Sequence, residues 1–562
     1  MAKEILAAMI VAIILMLLAV TSGSLFVAEG QAKGTASLTI ANEATCALAP
    51  WLQECKELEE KKAREEATSD LQNVFIAAAT DADNVERDAY TYSYAKGETI
   101  STGVINDDAA IKTGSAVTVV PYGTNRLFVA YARKSQSNTN DEGYYYSAYT
   151  VNQDGSISPS GNGVIDDRCD MQSEPAMDAA AFDSNSDGTI DGILVGLTCN
   201  GDGYDNSDQN DNNDEYTFYR YVIQEDGSLT RQDAGSDRVP SFVAENAAQQ
   251  HIYIKPSITM TAFSSAGGAP NKVFIAYARE ADGGGKPIGS PGDYYAYRIY
   301  DPSNPPPATA NGWQAGWRNL HTGKTNDQAA GSKPCSLGSG STIDSALYTD
   351  NAANSVIVAY ACISDNNKDG GNDNYEYRIY SSGAENIQGV KPLSDARQIE
   401  TSLDFTAAPE DRANRVHTIA VARIGHRKSF VVYTETISNR NGNGPGRYKY
   451  RVIDNGVLTP EGDAPDLHGG DCHIWDPNED LSGAGPKKQR GGASVSLSYD
   501  VQGNKVVAIY SCDSDGKGSQ DSYSYAIYNV ATNVIEKRGY AITPAQLDNG
   551  PSVASVYVPG GG

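Results

Sequence analysis

The apolar positions of this chain recur as one short strand-like stretch, rewritten along its length. "KVFIAYARE" (272–280) is one copy, and "RLFVAYARK" (126–134), "SVIVAYACI" (355–363), "SFVVYTETI" (429–437) and "KVVAIYSCD" (505–513) are others. "GILVGLTCN" (192–200) is a looser copy, and "NVFIAAATD" (73–81) stands near the start. Before most copies lies a strand of small residues: "SAVTVVPY" (115–122), "PAMDAAAF" (175–182), "PSITMTAF" (256–263), "STIDSALY" (341–348), "HTIAVARI" (417–424) and "ASVSLSY" (493–499). After each comes a polar loop and then a tyrosine strand of the form Tyr-x-Tyr-x-Ile/Val, as in Tyr295, Tyr297 and Ile299. A fourth strand often follows an Asp-Gly or Asn-Gly turn, as in "QEDGSLT" and "IDNGVLT".

Four antiparallel strands repeated every 53 to 83 residues predict the blades of a β-propeller. Small first strands suit a crowded central channel, and tyrosine strands suit a position further out, where hydroxyls reach polar partners. The ends carry the strongest prediction. "NVFIAAATD" has a tyrosine strand after it but no first strand before it, whereas "GPSVASVYV" (550–558) is a first strand with nothing after it. Together they complete one blade, so the expectation is a seven-bladed ring over residues 72–562. The C-terminal strand would close it and remove exposed sheet edges. An open stack of β-hairpins is the alternative.

Composition narrows the partners. With 44 Lys+Arg against 71 Asp+Glu the net charge is −27, which argues against nucleic acid. Of the eight cysteines, Cys169, Cys335 and Cys472 precede first strands and Cys199, Cys362 and Cys512 end the matching second strands. The start of one hairpin strand lies beside the end of its partner, so the expected disulfides are Cys169–Cys199, Cys335–Cys362 and Cys472–Cys512. Cys46–Cys55 follows by elimination. Zinc is the competing reading, but no Cys-x-x-Cys spacing occurs. Disulfides place the protein in an oxidising, extracellular setting.

"DSNSDGTID" sets Asp183, Asn185, Asp187 and Asp191 at alternating positions with Gly188 at the turn, and Thr189 can add its backbone carbonyl. A hard cation such as calcium takes several oxygens gathered this way. The loop, placed between the first and second strands of its blade, resembles the integrin-α (FG-GAP) propeller family, and the resemblance implies calcium there. A solvated Asp/Asn turn is the alternative. "DNNKDGGND" offers a second, weaker set: Asp365, Asn367, Asp369 and Asp373.

No aspartate box, Gly-x-Ser-x-Gly elbow or His-Glu-x-x-His pair occurs, so no enzyme is expected. His468 and His473 flank Cys472 near Trp475. That cluster reads either as a metal or sugar site or as a disulfide-anchored loop.

Ahead of the ring, Ile5 to Val20 are sixteen unbroken apolar residues, expected as a hydrophobic helix over 1–30 and long enough to enter a bilayer. A collar clipped by Cys46–Cys55 and a polar helix are expected over 31–71, where Glu57–Lys61 and Glu60–Arg64 are spaced for helical pairing. Signal peptide, membrane anchor and filament core are the three uses open to the apolar run. With Glu4 just before it, the run resembles a type IV pilin N-terminus. That resemblance implies a subunit held in the membrane, then assembled with copies of itself into a cell-surface filament. The alternative is an anchored or secreted calcium-binding propeller that takes a glycan or protein ligand.

Overall fold

The computed structural model describes residues 70–81, 88–97, 99–106, 115–133, 143–167, 175–200, 214–232, 242–243, 257–264, 269–279, 294–303, 318–319, 342–349, 355–362, 373–381, 391–392, 397–403, 418–435, 447–460, 463–468, 472, 493–512, 522–542 and 552–559. They form seven antiparallel sheets. Blade 1 holds β1 (Val74–Asp81), β2 (Asp88–Lys96) and β3 (Thr99–Asn106). Blade 2 holds β4 (Val117–Tyr122), β5 (Arg126–Arg133), β6 (Gly143–Val151) and β7 (Ile157–Asp166). Blade 3 holds β8 (Met177–Phe182), β9 (Gly192–Asn200), β10 (Asp214–Ile223), β11 (Leu229–Arg231) and β12 (Phe242–Val243). Blade 4 holds β13 (Ile258–Phe263), β14 (Lys272–Arg279), β15 (Tyr294–Tyr300) and β16 (Arg318–Asn319). Blade 5 holds β17 (Ile343–Leu347), β18 (Ser355–Cys362), β19 (Asp373–Ser381), β20 (Lys391–Pro392) and β21 (Arg397–Leu403). Blade 6 holds β22 (Ile419–Gly425), β23 (Lys428–Glu435), β24 (Arg447–Asp454) and β25 (Val457–Thr459). Blade 7 holds β26 (Val495–Asp500), β27 (Lys505–Cys512), β28 (Ser522–Asn529) and β29 (Val534–Ile542). The last strand, β30 (Val553–Tyr557), returns to blade 1 and pairs antiparallel with β1, Val74 opposite Tyr557 and Ala78 opposite Val553.

The expected C-terminal closure is therefore present, and blade 1 is built from both ends of the ring. Two blades depart from the expected four strands. In blades 3 and 5 an extra strand, β12 or β21, pairs with the third strand beside a very short neighbour.

Among the described residues there is no single central core. Seven apolar clusters lie one at each seam between consecutive blades, the seam from blade 7 to blade 1 included. This explains why the repeated stretch reads as a continuous apolar run rather than an alternating one. In β1, Phe75, Ala77 and Ala79 face blade 2, while Val74, Ile76 and Ala78 face blade 7. Every second strand is sandwiched between two neighbours, so both of its faces are dry.

The tyrosine strands lock these seams. In each blade the tyrosine opposite a fixed second-strand position sends its hydroxyl to the next blade. Tyr90 accepts from Ala116 N at 3.3 Å, and Tyr144 donates to the Thr198 carbonyl at 2.8 Å. Tyr216 donates to the Ser257 carbonyl, and Tyr295 both donates to the Thr342 carbonyl (3.0 Å) and accepts from its N–H (3.1 Å). Tyr375 meets the Thr434 hydroxyl, Tyr448 donates to the Ser494 carbonyl, and Tyr523 donates to Ser552 in the closing segment. In five seams the same tyrosine also packs on a tyrosine of the next blade, for example Tyr216 on Tyr277 at 4.9 Å and Tyr448 on Tyr510 at 5.0 Å. A phenol suits this place because its ring fills the dry seam and its hydroxyl satisfies a backbone group there. Burial raises the hydroxyl pKa of Tyr144, Tyr295, Tyr375 and Tyr448 well above the ordinary phenol range, so these groups stay neutral hydrogen-bond partners.

Candidate functional site

The innermost strands line the ring axis, and each has one edge with no strand partner among the described residues. Backbone N–H groups on such an edge need acceptors. They are supplied by side chains of the preceding blade. Val117 N donates to Ser552 Oγ at 3.0 Å, Ile419 N to Thr342 Oγ1, Val553 N to Ser494 Oγ and Ser555 N to Ser496 Oγ. Short hydroxyl side chains do this without crowding the channel.

At one level of the ring the pairing register aligns Thr118, Asp178, Thr259, Asp344, Ala420, Ser496 and Ala554. Two of these seven are acids, and each sits in an equivalent relay. Thr118 donates to Asp178 Oδ1 (3.1 Å), Ala179 N donates to the same oxygen (2.8 Å), and Met260 N donates to Oδ2 (2.6 Å). Two blades further round, Thr259 donates to Asp344 Oδ1 (3.2 Å), Ser345 N donates to that oxygen (2.8 Å), and Val421 N donates to Oδ2 (2.7 Å). Each carboxylate thus bridges three consecutive blades. Burial pushes the Asp178 carboxyl up to about 6 against the pull of these donors. The Asp344 carboxyl reaches about 7, because burial and the nearby Asp178 charge outweigh its own donors. The pair can hold a proton near neutral pH, with Thr259 placed between them. Neither residue stood out in the sequence. The available signal was an acid at the fourth position of two otherwise small, neutral strands, "PAMDAAAF" and "STIDSALY".

The Asp183–Asp191 loop joins β8 to β9, as its place in the repeat predicts. Asp183 is buried and acts as the hub: its Oδ1 accepts from Asn185 N, Ser186 N (2.7 Å) and Asp187 N, and its Oδ2 accepts from Gly188 N (2.8 Å). Asp187 accepts from Thr189 N at 2.8 Å, which, with the Asn185 amide, holds its carboxyl below the ordinary range. Asp191 accepts from the backbone N–H and hydroxyl of Ser184. Gly188 has φ +94° and Ser186 φ +63°, the left-handed turn that lets successive N–H groups point at one carboxylate. The structure therefore places all four predicted side chains in one turn, with Asp187 and Asn185 exposed and Asp183 enclosed. Of the second set, Asp365, Asn367 and Asp369 lie outside the described residues, and Asp373 begins β19.

Cys472 and Cys512 form the expected disulfide, with Cα atoms 5.1 Å apart. It ties Cys472 to the end of β27. Cys362 ends β18 and is disulfide-bonded. Cys199 lies within β9, while Cys46, Cys55, Cys169 and Cys335 lie outside the described residues. Beside the Cys472–Cys512 bridge, His468 Nδ1 meets the Tyr510 hydroxyl at 2.7 Å. His468, Cys472 and Cys512 bring ligand atoms within 4.8 Å of one another. With the two sulfurs bonded together, the pair offers no thiolate to a metal, and His468 instead joins the end of the 463–468 segment to β27 through Tyr510. Residues 1–69, with the apolar run, the collar and the polar helix, lie outside the described residues. Among the described residues no helix is long and apolar enough to cross a membrane.

No family model and no curated protein matches the chain. Solved structures similar to it include a hypothetical selenium-binding protein from Sulfolobus tokodaii, at 8% identity and TM-score 0.41, covering 86% of this chain and 92% of that one. The β-propeller domain of the Trilobed protease from Pyrococcus furiosus is similar at 7% identity and TM-score 0.34, covering 84% and 95%. Trypanosoma rangeli sialidase is similar at 8% identity and TM-score 0.28, covering 76% of this chain and 56% of its own. At these identities and scores the likenesses bear on neither chemistry nor ligand.

Proposed function

We propose that the protein is a structural subunit of an extracellular, pilus-like filament. Its N-terminal apolar segments would form the core and its propellers an outer layer available for adhesion. The observation that carries this reading is the unbroken apolar run Ile5–Val20 joined to a ring whose seams are all dry, tyrosine-locked and closed by the chain's own end. Such a ring is a durable display unit. Apolar segments bundled together would bury surface at about 25 cal/mol per Å², holding the assembly together once it has left the membrane. Head-to-tail contacts that do not close on themselves extend into a helical filament. Ile13→Asp with Leu17→Lys should abolish filaments seen by electron microscopy of cell-surface material, and deleting residues 72–562 should leave thinner ones. Native protein found only as single copies in membrane or medium would overturn the reading.

A calcium-binding propeller that takes a glycan or protein ligand is the second reading, and the Asp183 loop favours it. Calcium should raise the melting temperature by mass action, and Asp187→Ala should remove most of that gain. Calorimetry without a calcium heat would dismiss both proposed sites, and with them this reading.

A further inference from the structure

The seam between blades 6 and 7 gathers ligand-bearing groups that neither the filament nor the calcium reading uses. His468, Cys472 and Cys512 bring ligand atoms within 4.8 Å of one another, the one such gathering of three among the described residues. Cys472 and Cys512 lie in the apolar cluster of that seam, and His468 is half-buried at its margin. Two further groups face the same spot. Residues paired across adjacent strands share a face, so Ser522 of β28 lies beside Cys512 and Ser524 beside Tyr510. Both serines are buried, at 1% and 0% exposure, and neither hydroxyl has a hydrogen-bond partner among the described residues. Buried hydroxyls are normally paired, so two orphans beside the sulfur pair mark a place with room for a further polar group.

We propose that reduction of this disulfide converts it into a zinc site held by Cys472, Cys512 and His468. A thiol supplies the two electrons: the Cys472–Cys512 bond and two R–SH give two cysteine thiols and R–S–S–R. Zinc then takes both sulfurs as thiolates and the imidazole as a neutral ligand, releasing the two thiol protons. The imidazole is held in the tautomer this needs. Tyr510 donates its proton to the Tyr525 carbonyl (3.5 Å), so its oxygen accepts from His468 Nδ1 (2.7 Å) and Nε2 keeps the lone pair that a metal binds. The cysteine Cα atoms are 5.1 Å apart, so rotation of the two side chains is enough to open the sulfurs to Zn–S bonds of about 2.3 Å. The Ser522 hydroxyl lies beside the fourth position and can bond a water held there. Oxidation runs the steps backwards: the thiolates give up two electrons, the S–S bond forms and zinc leaves. With eight cysteines in the chain, a metal-held pair is kept from pairing wrongly while the chain is in a reducing compartment. The site is independent of the apolar run and of the Asp183 loop, so it stands or falls separately from the filament and from calcium.

The test uses the full-length chain, reduced with a phosphine in the absence of oxygen, with cobalt(II) as the probe for zinc. Cobalt should give thiolate-to-metal charge-transfer absorption, and added zinc should displace it. The oxidised chain should give none. Cys472→Ser should abolish that absorption, and Cys362→Ser should leave it. His468→Ala keeps both thiols and should weaken cobalt binding by about tenfold or more, while its oxidised form still yields the Cys472–Cys512 bridge on peptide mapping. No thiolate absorption in the reduced wild type, equal absorption in Cys472→Ser, or equal affinity in His468→Ala would overturn the site. So would a reduced chain that loses its β-sheet circular dichroism and takes up no cobalt, since the ligands meet only with β27 and β28 in register.

Discussion

Blades 7, 1 and 2 lie side by side and differ from blades 4, 5 and 6 in how they finish their outer rim. The first three end in long outer strands, β29, β3 and β7, of 9, 8 and 10 residues. Among the described residues blades 4 and 6 end in stubs, β16 and β25, of 2 and 3 residues, and blade 5 divides its rim between the stub β20 (2 residues) and β21 (7 residues). Two features of the third strands follow this division. In blades 1, 2 and 7 the rings of Tyr92, Tyr146 and Tyr525 lie across glycines of the outer strand. A Cβ on Gly103, Gly163 or Gly539 would meet them at 2.6, 2.7 and 2.6 Å. The glycine gives the ring a flat bed, and the ring covers the exposed glycine backbone. At the position next along the same strand, blades 1, 2 and 7 carry Ser93, Ser147 and Ala526. Blades 4, 5 and 6 carry Arg298, Arg378 and Arg451, exposed by only 1%, 5% and 5%. A buried guanidinium needs acceptors, and a strand whose carbonyls are committed to its ladder has few to spare. Arg298 finds the Tyr277 hydroxyl at 2.9 Å, and Arg451 the Pro460 carbonyl. A single long outer strand over a glycine thus marks the three blades around the closure, and a buried arginine on the third strand marks blades 4, 5 and 6.

The comparison is broken most severely by removing the closure. Deleting residues 551–562 takes away β30, the Tyr523–Ser552 bond and the Ser496–Ser555 contact together. Blade 1 would lose its innermost strand and the ring its closure, so a large drop in melting temperature is expected. Equal melting of the truncated and full chains would show that β30 closes nothing. Next in size, Gly103→Val should cost about 1–3 kcal/mol by overpacking against Tyr92. Gly161→Ala, whose Cβ would meet only Ala148 at 3.9 Å, should be nearly silent. Chemical denaturation of the two variants reads this difference, and similar midpoints would mean that the ring over the glycine carries no weight.

Tyr295→Phe removes a hydroxyl that serves both the N–H and the carbonyl of Thr342. It should cost about 1–3 kcal/mol, the penalty of orphaned buried groups. The same substitution at the half-buried Tyr499, which donates to the nearby Asn504, should cost less. The smallest effect separates the two sides of the ring by pH. Only blades 3 and 5 carry a channel carboxylate at the aligned level, and both Asp178 and Asp344 have raised pKa values. Their folded forms hold protons more tightly than the unfolded chain does. The stability they contribute is full below the ordinary value of 3.8 and lost as pH rises through about 6 and about 7. Melting temperature should therefore fall between about pH 4 and pH 7, and the fall should be shallower in Asp178→Asn/Asp344→Asn. The charge of the rest of the chain is common to both proteins, so an unchanged slope would remove these two acids from the explanation.

Much of the ring was legible in the one-dimensional pattern because a propeller is a repeat. Each blade needs the same strand types in the same order, and an incomplete first copy must borrow from the end. The cysteine placement was readable for the same reason, since Cys472 and Cys512 hold repeat-equivalent ends of one hairpin. The channel carboxylates were not. An aspartate in a small-residue strand looks like any other acid until the register brings Thr118, Met260 N and Asp178 together from three blades. The buried arginines were hidden likewise. Nothing near Arg298 in the chain distinguishes it from a surface arginine in a tyrosine strand, and only its register opposite Ile275, inside the blade, makes it a buried charge. The local sequence determined strand identity, turn position, ring closure and one disulfide, because each depends on residues close in the chain or on repetition. The tertiary structure decided which polar groups meet across the seams, because those contacts join residues 26 to more than 400 positions apart and exist only once neighbouring blades are packed together.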